Sequence, residues 1–282
     1  MTRRFIDDNV PVQVVDYPLG SNPVELQRLD HQGALLAPAT RMIFEAAGIQ
    51  PGMRVLDLGS GAGDVSFVAA DLVGPTGEVI GIDRSPDACA RAAIRAQRRD
   101  LPHVRFIAHD IETPLAVDGF DAIVGRLVLM YFRDPAAVLR THAASLRRGG
   151  LVVPIEIDVA SARAIPPTPL LGEILSWIIT AFARANIHAA LGTQLWTVAQ
   201  NAGLQPRGMI GVQPHFGPGD QDGPTLLVGV VRAILPLIVR SGAATAAQVG
   251  IDSLRERLSG ELSAARAAFA HPLLISAWAT AE

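Results

Sequence analysis

The chain has 282 residues, 49% hydrophobic and 18% charged, with a formal net charge of −3. It is too apolar for a disordered chain and lacks the basic excess of a nucleic-acid or anionic-membrane binder. One cysteine, Cys89, excludes an intramolecular disulfide and a thiolate-rich metal site, and all 24 basic residues are arginine. Without lysine there is no pyridoxal-phosphate Schiff base, no aldolase-type lysine and no Walker A lysine.

Residues 1–22 carry Pro11, Pro18, Gly20 and an Asn-Pro pair, and read as an extended arm. They show no apolar core of a signal peptide, so a soluble, cytoplasmic protein is expected. Helices are predicted over 24–37 and 39–48. After Pro51-Gly52, apolar runs alternate with helical stretches: strand 54–58, helix 63–73, strand 78–83, helix 86–99, strand 104–108, strand 122–125, helix 135–147 and strand 152–157. That spacing means crossover units, a parallel sheet and helices on both of its faces. Beyond 158 the alternation fails. Residues 168–202 read as mostly helix, 204–213 as a strand, 224–240 and 251–269 as helices, and 272–279 as a last strand. Arg232 and Pro236 interrupt the apolar run 226–239, which is too short for a bilayer and reads as a buried helix. The organisation predicted is an arm with helices over 1–50, a core over 51–158, and an embedded helical lid with the last strands over 159–282.

The strongest chemical signal is Val55-Leu56-Asp57-Leu58-Gly59-Ser60-Gly61-Ala62-Gly63-Asp64. A buried strand ends in a glycine turn and enters a helix, where backbone N–H groups can approach a ligand. A dinucleotide site places its third glycine three residues after the second; here it comes one residue early and Asp64 follows. With Asp57 before the turn, a cationic, phosphate-free ligand fits better than a pyrophosphate. The second strand ends in Asp83, about twenty residues past the loop, where a carboxylate accepts ribose hydroxyls. The third leads to Asp110 and Ile111, an acceptor for an adenine amino group and an apolar face for its ring.

These pieces resemble class I S-adenosylmethionine-dependent methyltransferases, in particular small-molecule enzymes of the ubiquinone/menaquinone type and of bacterial secondary metabolism. The matching stretches are VLDLGSGAGD at 55–64, VIGIDRSPDACARA at 79–92, FIAHDIE at 106–112, FDAIVGRLVLMYFRDP at 120–135 and LRRGGLVVPIEID at 146–158. The resemblance implies a Rossmann-like α/β fold with a mainly parallel seven-stranded sheet, and S-adenosylmethionine as cofactor. It implies that Gly59, Ser60 and Gly61 hold the methionine moiety, Asp83 and Arg84 the ribose region, and Asp110 and Ile111 the adenine. Arg126 would line the pocket near the sulfonium, and Tyr17 would close the cofactor from the arm, with His31 or Gln32 beside it.

Methyl transfer needs mainly placement, because the sulfonium is already activated. A base is needed only for an acceptor that must lose a proton. Glu156, a carboxylate in an apolar strand beside Pro154, and His188 in the lid are the expected catalytic candidates. His103 and His142 read as surface residues, and His271 as turn chemistry beside Pro272. Trp177, Phe182 and Trp196 in the lid point to a small, apolar or aromatic acceptor. No nucleic-acid or membrane partner is expected, and a homodimer stays open. A nicotinamide dehydrogenase is disfavoured by the shifted glycine and the missing Tyr-x-x-x-Lys pair. A protein of this fold that binds the cofactor without transferring methyl, as a cyclase or binding module, is the remaining alternative.

Overall fold

The computed structural model describes the backbone of residues 23–281 and the side chains from Gln32 onward. The arm over 1–22, including Tyr17, and the side chain of His31 lie outside the described residues. In chain order the elements are α1 (Pro23–Ala47), β1 (Arg54–Leu58), α2 (Asp64–Val73), β2 (Glu78–Asp83), α3 (Pro86–Arg98), β3 (Val104–Ala108), β4 (Phe120–Arg126), α4 (Pro135–Ala143) and β5 (Leu146–Asp158). Then come β6 (Arg163–Ile165), α5 (Pro169–Arg184), α6 (Leu195–Asn201), β7 (Gln205–Val212) and β8 (His215–Phe216). The chain closes with α7 (Asp222–Arg240), α8 (Ala246–Val249), α9 (Ile251–Ala264), β9 (Ala268–Ala270) and β10 (Leu273–Thr280).

Seven strands form one sheet in the order β3-β2-β1-β4-β5-β10-β7. β1 to β5 are parallel to one another, while β10 runs antiparallel to both β5 and β7. Alternate strand residues feed two cores. Val55, Val79, Val124 and Ile155 pack with α1 and α2 on one face. Leu56, Leu58, Ile80 and Ile123 pack with α4 to α7 and α9 on the other. The carboxyl ends of the parallel strands therefore open one crevice at the sheet's top, where the chain reverses between β1 and β4.

Several elements depart from expectation. The two N-terminal helices are one, with Pro38 inside α1. A proline there costs a backbone hydrogen bond, but Leu36, Ala39, Ile43 and Phe44 are buried against the sheet and hold the helix through it. Helix α4 ends early, and β5 begins at Leu146 instead of 152. Pro154 does mark an irregular site, but in an interior strand: the ladder to β10 skips Pro154 and Val153. The helix predicted to reach 269 stops at Ala264, and Arg266 turns the chain with a φ of 49°. Residues 268–270 then form β9, the middle strand of a second sheet ordered β6-β9-β8.

Two insertions follow the parallel core. One, 159–204, follows β5; the other, 213–272, separates β7 from β10. They meet where β6 of the first pairs with β9 of the second. Helix α7 is long and apolar enough to cross a membrane, but Leu226, Leu227, Val231, Ile234 and Ile238 on it line the main core.

Candidate functional site

The glycine turn between β1 and α2 is built by three backbone constraints. Gly59, Gly61 and Gly63 have φ of 63°, 51° and 91°, a region closed to most side chains. A Cβ on Gly59 would also penetrate Val128 Cγ2, so the turn after β4 presses directly on the loop. A Cβ on Gly61 would meet nothing within 4 Å, which leaves open space above that residue.

Acidic side chains frame the loop. Asp83 Oδ2 accepts from Gly61 N at 2.9 Å and its Oδ1 from Ser85 N at 2.9 Å. It therefore shapes the loop, and each oxygen keeps a second lone pair for a ligand hydroxyl. Asp57 is fully buried; its Oδ2 accepts from Ser66 Oγ at 2.6 Å, while Oδ1 has no partner. Burial pushes its carboxyl up to about 7 against the opposing pulls of Ser66 and Arg126. Ser60 Oγ is likewise buried without a partner. These two orphaned polar atoms, the open space at Gly61 and the local acids fit a ligand that donates hydrogen bonds and carries positive charge. They suit the amino and sulfonium groups of S-adenosylmethionine.

Asp110 is exposed, with Oδ1 accepting from Glu112 N at 3.0 Å. Arg84 is exposed and Gln32 half-buried. Ile111 departs from expectation: it is 5% exposed and packs in the main core, so its side chain can offer a ring only an edge. Its carbonyl accepts from His142 Nε2 at 2.8 Å. His142 is not a surface residue but is buried at 1% exposure, and burial lowers its pKa. His103 is half-buried, with both ring nitrogens enclosed.

Arg126, at the end of β4, reaches across to α1. Its Nη1 donates to Thr40 Oγ1 at 2.7 Å, and Asp64 and Asp57 support its charge against the desolvation that lowers its pKa. Asp64 is in turn salt-bridged to Arg95 at 2.8 Å and sits so close to Gly33 of α1 that a Cβ there would overlap it. Arg126 and Asp64 thus dock α1 beside the glycine turn. The sequence held no signal for Thr40 or Gly33, because their partners lie far along the chain.

The two expected catalytic residues converge on one segment, Val128–Phe132. Glu156 is fully buried; its Oε1 accepts from Val128 N at 3.0 Å and Leu129 N at 2.7 Å. Burial raises its pKa to about 8 despite those N–H groups and that of Met130. His188 Nε2 donates to Phe132 O at 3.1 Å, and its backbone N donates to Met130 O at 3.0 Å. Leu127, just before this segment, has a φ of 57°, a strained value for leucine. Glu156 from below and His188 from the lid clamp this strained turn in place. Glu156 Oε2 is buried with no hydrogen-bond partner among the described residues.

The sheet order, the antiparallel penultimate strand and an acid-lined glycine turn at the carboxyl edge define a Rossmann-like fold of the class I methyltransferase type. Residues 49–182 match the family described as "Methyltransferase domain". Among curated relatives it is 36% identical over 107 residues to an arsenite methyltransferase of Halobacterium salinarum, covering 38% of this chain and 27% of that one. It is 31% identical over 144 residues to the aklanonic acid methyltransferase DauC of a Streptomyces species, covering 49% and 65%. The chain therefore spans less than two thirds of either relative. Among solved structures, coclaurine N-methyltransferase superposes with a TM-score of 0.55 at 14% identity, covering 86% of this chain and 72% of that one. The [4+2]-cyclase SpnF gives 0.53 at 20% identity, covering 86% and 80%.

Proposed function

We propose that the protein transfers a methyl group from S-adenosylmethionine to a small, largely apolar or aromatic acceptor. The observation that carries this reading is the glycine turn with unpartnered Asp57 Oδ1 and Ser60 Oγ beside it, framed by Asp83. The bound cofactor supplies an activated methyl group. Gly59, Ser60 and Gly61 hold its methionine end, Asp83 and Arg84 the ribose region, and Asp110 with the edge of Ile111 the adenine. Arg126 keeps α1 docked over the cofactor, with Gln32 on the same helix. Glu156 and His188 fix the turn that presses on Gly59. The aklanonic acid methyltransferase among the relatives supports a small-molecule acceptor.

Isothermal titration calorimetry tests the reading. S-adenosylhomocysteine should bind and raise the melting temperature, and NADP should do neither. Asp83→Ala should weaken cofactor binding by about 2–4 kcal/mol, since it removes charge-assisted acceptors. Tighter binding of NADP would overturn the assignment. The non-methylating alternative shares its fold with SpnF and is separated by product mass: methyl transfer adds one CH₂ to the acceptor and releases S-adenosylhomocysteine.

A further inference from the structure

The turn after β4, residues 127–132, touches the glycine turn at one end and the first insertion at the other. Its first contact is Val128. A Cβ on Gly59 would penetrate Val128 Cγ2, and a Cβ on Gly125 would meet Val128 Cγ1 at 3.3 Å. Val128 thus sits in a socket left by two glycines at the ends of β1 and β4. The glycine turn is fixed from its other side by β2: Ser60 N donates to Ile82 O at 2.9 Å, and Gly61 N to Asp83 Oδ2 at 2.9 Å. Gly59 is close-packed between these supports, so a displacement of Val128 is passed to the turn rather than absorbed.

The second contact is His188, in the insertion 159–204. Its backbone N donates to Met130 O at 3.0 Å. Its Nε2 lies 3.1 Å from Phe132 O, and a carbonyl only accepts, so Nε2 carries the proton and donates. The same loop also grips β5. Val159 N donates to Ala189 O at 2.9 Å, and a Cβ on Gly192 would meet Glu156 O at 3.0 Å. Leu127 N donates to Ile155 O at 2.9 Å while Leu127 keeps a φ of 57°, a conformation leucine holds only where its surroundings impose it. A contiguous series of bonded and packed groups therefore runs from His188 through Met130 and Phe132 to Val128 and Gly59.

We propose that His188 is a positioning residue that couples the first insertion to the cofactor: by holding Met130 and Phe132 it seats Val128 against the glycine turn, and a cofactor on that turn steadies the loop 186–192 in return. This rests on the methyl-transfer reading above and adds to it a residue that sets cofactor affinity through the turn after β4. Such coupling is reciprocal. Whatever His188 adds to cofactor affinity, the cofactor returns as stability of the insertion.

The test combines hydrogen exchange and calorimetry on the full chain with S-adenosylhomocysteine. Binding should slow amide exchange over 58–63 and also over 186–192. His188→Ala should weaken S-adenosylhomocysteine binding by about 2–10-fold, the worth of one neutral hydrogen bond. Ile174→Ala opens a cavity in α5 of the same insertion without removing either His188 bond. It should lower the melting temperature at least as much, yet leave the affinity within about twofold. Val128→Ala breaks the series at its other end and leaves the carbonyls of Met130 and Phe132 in place. In that variant the slowing over 186–192 should vanish, and adding His188→Ala should weaken binding no further. Unchanged affinity in His188→Ala, or an equal loss in Ile174→Ala, overturns the proposal. So do additive losses in the double variant, no slowing over 186–192 in wild type, or slowing that survives Val128→Ala. Failure of wild type to bind S-adenosylhomocysteine instead overturns the underlying methyl-transfer reading.

Discussion

Removing the Glu156 carboxyl should separate anchoring from chemistry. In Glu156→Ala, the N–H groups of Val128 and Leu129 lose their acceptor in a fully buried place. An unsatisfied buried donor costs about 1–3 kcal/mol, so the variant should lose about 3–5 kcal/mol in total. Glu156→Gln keeps an acceptor oxygen and should lose far less. Its distinguishing mark is pH. The folded-state pKa of Glu156 is about 8, above its ordinary 4.5, so between these values the folded chain binds one proton more than the unfolded chain. The stabilisation is complete below the unfolded value and is lost as pH rises through the folded one, at up to about 1.4 kcal/mol per pH unit. Glutamine cannot ionise in either state. Between about pH 5 and pH 8 wild type should therefore lose about 2–4 kcal/mol relative to Glu156→Gln. Asp57 also titrates in this range, but it is common to both proteins and cancels in the difference. Urea denaturation followed by circular dichroism at several pH values measures this directly. Parallel stability–pH curves would refute the buried, proton-binding anchor, and a large loss of turnover in a stable Glu156→Gln protein would return the residue to the chemistry.

Other expectations follow from the same geometry. Asp57, with a pKa near 7 when free, should lose its proton when a sulfonium binds beside it, releasing up to about 0.5 proton near neutrality. Calorimetry in buffers of different ionisation enthalpy reads this; identical enthalpies in all buffers, or unchanged proton release in Asp57→Asn, would contradict it. Gly59→Ala should lower the melting temperature and cofactor affinity together. A left-handed φ costs alanine about 1–2 kcal/mol, and its Cβ must displace Val128. A variant as stable as wild type would show that the turn after β4 does not press on the loop.

How much of this was legible beforehand differs residue by residue. The strands Arg54–Leu58, Glu78–Asp83 and Val104–Ala108 and the acids at their ends follow from local pattern. The two buried strands β1 and β2 are mostly apolar runs, while β3 is a largely exposed edge strand, and the ends of such strands carry the turn residues that bind. The sequence by itself therefore determined the Rossmann-like core, the glycine turn and its acid frame. Only the tertiary structure decided which polar residues meet. Glu156 finds its donors 27 and 28 residues away, Arg126 finds Thr40 86 residues away, and β6 pairs with β9 across two insertions. Local periodicity reports which side of an element is buried. What a buried polar group bonds to depends on chain segments brought together only by packing, and that is where the chemistry of this site is assigned.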